Sequence, residues 1–274
     1  MRLKIERPTY INFNTKSEFT IPKSEITPFR NPNSEIRNHM KLLLISNSTN
    51  PGEPYLDYPK HKIKEFLGSK HTKALFIPYA AVTFSYDDYE LKVRERFREV
   101  GHDIISIHHY SDPVAAVAKA DAIVVGGGNT WMLLKLLRDN RLIEPIRKKV
   151  LSGTPYIGWS AGSNVACPTI RTTNDMPVVR PSSFRAFKLI PFQINPHYLD
   201  ANPEGHAGET REQRIEEFIE ANPDLWVAGL REGTMFIVND GKLELSGPRN
   251  ARIFKKDKPP QELGEGDDFS FLLK

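Results

Sequence analysis

Residues 122–138 read Ala-Ile-Val-Val-Gly-Gly-Gly-Asn-Thr-Trp-Met-Leu-Leu-Lys-Leu-Leu-Arg. The run AIVV has the continuous apolar character of a strand buried on both faces. Gly126-Gly127-Gly128 then lets the chain turn tightly, and Asn129 is a residue type that caps a helix start. A helix follows over 130–138. Outward from this unit the same alternation repeats. Buried strands are predicted at 41–46 (KLLLIS), 74–78 (ALFIP), 103–107 (DIISI) and 155–158 (PYIG). Helices are predicted over 59–68, 86–100, 113–120 and 144–152. In the second of these, Tyr86, Tyr89, Val93, Phe97 and Val100 share one face, and Gly101 stops the helix. Strand and helix in alternation imply an α/β fold: a mostly parallel sheet, right-handed crossovers and helices on both faces. Such sheets carry their site at the carboxyl ends of the strands.

Downstream, a strand is predicted near 188–195 and a helix over 210–221, opened by Thr210 with Gln213 at capping-box spacing. The end of the chain differs in kind. Short strands at 225–230, 235–238, 242–245 and 251–254 are separated by Gly233, Asn239-Asp240-Gly241 and Gly247-Pro248, and Asp240-Gly241 signals a tight hairpin. Residues 40–274 therefore read as a single α/β domain with a small antiparallel addition at its end. Residues 1–39 read as an irregular N-terminal extension. They hold no glycine, and Pro8, Pro22, Pro28 and Pro32 interrupt any helix. That segment is an arm, or the product of a start codon upstream of Met40. Its acidic residues argue against a transit peptide.

The 274 residues are 39% hydrophobic and 26% charged, which excludes a disordered chain, a collagen and a coiled coil. No apolar run approaches the roughly 18 residues a membrane helix needs. The single Cys167 can form no internal disulfide, and without a signal segment a cytoplasmic location is expected. The net charge is +4. Residues 1–39 contribute seven basic and four acidic groups, leaving 31 against 30 in the body. A near-neutral body argues against nucleic acid as partner.

The chemistry centres on Gly158-Trp159-Ser160-Ala161-Gly162, a G-x-S-x-G turn between a buried strand and a helix. Small neighbours let the chain turn sharply and lift the serine hydroxyl above the sheet. A serine needs a base. Among eight histidines, His197 follows an apolar strand at Gln193-Ile194-Asn195-Pro196-His197, and His206 competes from a glycine-containing loop. Asp175 and Glu232, each in a polar turn, are the candidate carboxylates to orient the imidazole, and the residues alone do not choose between them. The amides of Gly128 and Ala161 are read as an oxyanion hole, with Asn129 capping the helix. No cofactor and no metal site is expected. His108 and His109, adjacent in a strand, would point to opposite faces, so chelators should leave activity unchanged.

In this order, GGGNT (126–130), GWSAGSN (158–164), ACPTIRTTNDMP (166–177), QINPH (193–197) and PEGHAGETREQR (203–214) resemble the peptidase E family of bacterial α-aspartyl dipeptidases. The likeness runs from the 41–46 strand to about residue 254 and leaves out the arm. It implies a three-layer, class I glutamine amidotransferase-like fold and hydrolysis of dipeptides with an unblocked N-terminal aspartate. Ser160 matches the family nucleophile and His197 its general base. Asp175 is assigned as the relay acid, with Glu232 next. Arg211 matches the substrate arginine, and Asn129 is counted with it as a substrate contact. The partner implied is a small peptide, acted on by a monomer or homodimer. Three alternatives stand beside this reading. A cyanophycinase-like peptidase is one, and a non-catalytic protein that binds acidic ligands is another. An α/β-hydrolase esterase would share the serine turn, but the H-G-G-G-type loop is lacking and its acid and histidine normally come later in the chain.

Overall fold

A computed structural model describes residues 39–202, 204, 205 and 207–274. Strands β1 (Leu42–Ile45), β2 (Lys73–Ile77), β3 (Asp103–Ser106), β4 (Ile123–Val125) and β5 (Tyr156–Trp159) lie parallel in the order β3-β2-β4-β5-β1. Successive residues of each strand face opposite layers. Leu42 and Leu44 pack with helices α3 (Pro113–Lys119), α4 (Thr130–Asp139) and α5 (Ile143–Leu151) on one side. Leu43 and Ile45 pack with α1 (Lys60–Leu67) and α2 (Tyr86–Glu99) on the other. All four β1 residues are fully buried, which is why these strands read as unbroken apolar runs. Helix starts follow the expected chemistry: Ser85 accepts the Asp88 amide, Asp112 the Ala115 amide and Asn129 the Met132 amide.

The terminal strands pair mainly antiparallel, as expected, but they are divided between two sheets. After β6 (Gln193–Tyr198), helix α7 (Arg211–Ala221) and β7 (Val227–Arg231), the hairpin β8 (Met235–Asn239) and β9 (Lys242–Ser246) joins the main sheet antiparallel to β1. Leu42–Ile45 offers β8 an apolar edge, and Met235–Val238 is the apolar run that fits it. Asp240 and Gly241 turn the hairpin with φ of 49° and 75°, the two positive values of a type I′ turn. A second sheet has the order β11-β10-β7-β6, with β10 at Ala251–Lys255 and β11 at Lys258–Leu263. Strand β11 was not predicted, and it contains Pro259 and Pro260. It forms at an edge, where a missing N–H is tolerated. The strand expected from 188 begins only at Gln193. Before it, Lys188 has φ +52° and donates its amide to Cys167, turning the chain back on itself.

Candidate active site

Three neighbouring strands of the main sheet end at one place. β1 delivers Ser46–Asn50, β4 delivers Gly126–Asn129, and β5 delivers Ser160. At Ser160 the backbone takes φ 53° and ψ −111°, a conformation that costs about 1–3 kcal/mol for a residue with a side chain. The surrounding glycines explain how it is held. A Cβ on Gly158 would lie 2.5 Å from the Gly162 carbonyl oxygen, and one on Gly162 would lie 2.2 Å from that of Val125. The turn therefore packs backbone on backbone, and the short helix α6 (Ala161–Asn164) starts directly beneath the hydroxyl. Gly162→Ala is expected to destabilise the fold by about 2–3 kcal/mol, measured as a lower urea midpoint, because the obstructing atom is main chain and has nowhere to go.

His197 reaches the serine from the second sheet. In β6, Pro196 pairs with Leu230 and Tyr198 with Arg231, so His197 is the extra residue of a bulge, with φ +53°. Its amide donates to Ser46 Oγ at 3.0 Å, and that hydroxyl donates to the Leu230 carbonyl at 2.6 Å. The imidazole Nε2 then lies 2.9 Å from Ser160 Oγ, and Nδ1 lies 2.7 Å from Glu232 Oε1. Glu232 sits in the turn where the chain crosses from β7 in one sheet to β8 in the other. Both sides of that turn are fixed. Gly233 donates its amide to Asn47 Oδ1 at 2.8 Å. Arg231 forks onto Glu262 and Asp200, and hydrogen bonds to these two carboxylates raise its affinity for its proton.

The structure places Glu232, and not the expected Asp175, against His197. Asp175 does not meet His197. Its Oδ2 accepts from the Thr130 amide at 2.8 Å, the Thr130 hydroxyl at 2.5 Å and the Thr173 hydroxyl at 3.0 Å, so it anchors the start of α4. Asn129 is likewise turned to the chain itself and not to the cavity: Oδ1 accepts the Met132 amide, and Nδ2 donates to the Met176 carbonyl at 2.9 Å. Arg211 is half-buried at the first position of α7, and its guanidinium has no hydrogen-bond partner among the described residues. Burial, with the charge of Arg214, lowers its pKa, and Asp175 opposes the shift. His206 lies outside the described residues.

A cavity of about 540 Å³ opens beside Ser160 and His197 and is lined also by Ser48, Tyr55, Phe84 and Gly128. Gly128, at φ +131°, is pressed against the Ala80 carbonyl, which a Cβ would meet at 2.3 Å. Among the described residues, neither the Gly128 nor the Ala161 amide has a hydrogen-bond acceptor. Arg211 is not among the lining residues.

The sequence reading did not single out the supports of this cavity. Trp159 Nε1 donates to Tyr55 Oη at 2.9 Å, Tyr55 donates to Tyr89 at 3.0 Å, and Tyr89 donates to the Gly127 carbonyl at 2.9 Å. This chain ties β5 to the glycine loop, and burial pushes the Tyr89 phenol up to about 12. Ser46 and Asn47 were legible as polar residues at the carboxyl end of a buried strand, but nothing in the sequence gave them partners.

The model of peptidase family S51 matches residues 42–246. Over 233 residues the chain is 51% identical to the Peptidase E of a Nostoc species, covering 85% of this chain and 96% of that protein. It is 48% identical over 230 residues to the Peptidase E of Salmonella typhimurium, covering 84% of this chain and 100% of that one. Among solved structures, a peptidase from an acI-B1 Actinobacterium superposes with a TM-score of 0.63 at 20% identity, over 86% of this chain and 100% of the other. That likeness speaks for the class I glutamine amidotransferase-like fold.

Proposed function

The chain belongs to peptidase family S51, and from that membership we propose that it is a serine dipeptidase which cleaves Asp-Xaa dipeptides with a free N-terminus. The observation that carries this reading is the unbroken chain from Ser160 Oγ to His197 to Glu232 at the mouth of a cavity. Ser160 Oγ attacks the aspartyl carbonyl carbon while His197 Nε2 takes its proton, and Glu232 stabilises the imidazolium through Nδ1–H. The oxyanion accepts hydrogen bonds from the Gly128 and Ala161 amides, which have no other acceptor among the described residues. Collapse breaks the peptide bond, and His197 returns the proton to the departing amine. Water, deprotonated by the same imidazole, then attacks the ester and releases aspartate.

Selectivity for aspartate is assigned to Arg211. It is a cation placed at the positive end of a helix, where its own charge is unfavourable, and a bound carboxylate would relieve it. Neither a cyanophycinase-like activity nor a non-catalytic role gains support from the relatives. The enzyme is taken to work in the cytoplasm, as a monomer or homodimer. Among the described residues no helix is long and apolar enough to cross a membrane.

Hydrolysis of Asp-Leu, Glu-Leu, Asn-Leu and N-acetyl-Asp-Leu tests this reading. Asp-Leu alone should be turned over well, by the full chain and by one starting at Met40. Arg211→Ala should lower kcat/KM for Asp-Leu about 100-fold, the scale of one charge-assisted bidentate contact. Equal rates on Asp-Leu and Asn-Leu would refute the aspartate specificity, and no cleavage of Asp-Leu would refute the substrate class.

A further inference from the structure

Apart from Ser160, His197 and Glu232, the described residues bring together a second group of chemistry-bearing side chains: Asp87 and Glu90 on α2, with His108 and His109 just past β3. The sequence reading set the two histidines on opposite faces of a strand. They lie instead in a short 3-10 turn, Ile107–His109, and their ring centroids are 4.0 Å apart. A strand alternates its side chains, whereas a 3-10 turn advances only a third of a revolution per residue and lets adjacent rings lean together. Asp87 and Glu90, spaced i, i+3, share a face of α2 that meets this turn.

We infer that Asp87, Glu90, His108 and His109 form a binding site for a divalent transition-metal ion, Zn2+ foremost. One ligand atom from each residue, two imidazole nitrogens and two carboxylate oxygens, lies within 4.8 Å of the other three. A tetrahedral zinc ion with bonds of 2.0–2.1 Å separates its ligands by about 3.3 Å, so modest side-chain movement closes the shell. His108 Nε2 and Asp87 Oδ1, 2.9 Å apart, and His109 Nε2 and Glu90 Oε2, 2.5 Å apart, need only part slightly to admit it.

The groups behind these ligands are arranged as an outer shell. Ser106 Oγ lies 2.6 Å from His108 Nδ1, which leaves Nε2 directed at the carboxylates. The Ser106 amide donates to Glu90 Oε1 at 2.8 Å, and Arg94 does so at 2.5 Å, which leaves Oε2 for an ion. Ser106 is fully buried and Glu90 is 3% exposed, so two of the ligands are fixed by interior groups. Asp87 and His109 are exposed and give an ion access. Two imidazoles disfavour Mg2+ and Ca2+, which take oxygen ligands, and favour zinc and its neighbours.

The site lies apart from the serine chemistry, so its role is to join α2 to β3. The opposite positions of α2, Asp88 and Lys92, line the catalytic cavity. Calorimetric titration of the chelator-stripped full chain with ZnCl2 tests the assignment. One equivalent should bind and raise Tm by about 5 °C or more at a hundredfold excess over Kd. The His108→Gln variant and the milder, exposed Asp87→Asn variant should lose that binding at least tenfold, and stripped enzyme should still cleave Asp-Leu. Co2+ in place of Zn2+ should give the intense visible bands of a four-coordinate ion. No binding, or binding unchanged in both variants, would overturn the inference. So would a weak six-coordinate Co2+ spectrum, or zinc held only as an inhibitor that His197 is needed to bind.

Discussion

Ser160→Ala is expected to lower kcat for Asp-Leu by about 10^4-fold or more, the loss seen when the nucleophile of a serine peptidase is removed. The size follows from what stands near. The hydroxyl makes a 2.9 Å contact with His197, and among the described residues no other hydroxyl or thiol bonds to that imidazole. Cys167 is fully buried, and burial pushes its thiol up to about 12, so it carries no thiolate at neutral pH. Ser48 lines the cavity but has no imidazole partner among the described residues, so Ser48→Ala serves as the control and should change kcat by less than about tenfold. Folding should be untouched by Ser160→Ala, since the turn is held by main-chain contacts at Gly158 and Gly162 that the hydroxyl does not share. A variant that keeps more than a hundredth of wild-type kcat would remove Ser160 from the chemistry. Circular dichroism and an unchanged urea midpoint would exclude misfolding as the cause of a loss.

The parallel core was legible because its inner strands are buried on both faces and several of its helices carry their own start signal. Ser85, Asp112, Asn129 and Thr210 all cap as their residue types dictate, and Thr210 and Gln213 close a reciprocal capping box. The serine turn was legible for a related reason: Gly158 and Gly162 are demanded by atoms within a few residues of Ser160 or on the neighbouring strand. What failed was long-range. Glu232 faces His197 only because β7 and β8 belong to different sheets and the chain must cross between them, 35 residues after the histidine. No local pattern encodes that crossing. The same holds for β11, whose prolines forbid a central strand and allow an edge one, and for His108 and His109, whose relation turned on whether β3 ended before them. Local chemistry thus announced which residues could act, and topology decided which of them meet.

The two carboxylates that the sequence left in competition separate in a paired experiment. Glu232→Gln should lower kcat by about 10^3–10^4-fold with little change in KM, because an amide can present N–H to Nδ1 and stabilise the wrong tautomer of His197. Asp175→Asn should behave differently. Its carboxylate accepts three hydrogen bonds at the head of α4, so its loss should lower stability by about 1–2 kcal/mol. Its effect on kcat should be confined to whatever displacement of the neighbouring Gly128 loop follows. Reading kcat and KM separately beside the urea midpoint therefore assigns each acid: one variant loses rate without stability, the other stability before rate. Asp175→Asn matching Glu232→Gln in kcat at full stability would overturn the assignment of Glu232. That outcome would require His197 to leave the β6 bulge that Ser46 now pins through the His197 amide, and Ser46→Ala would then be expected to speed the reaction instead of slowing it.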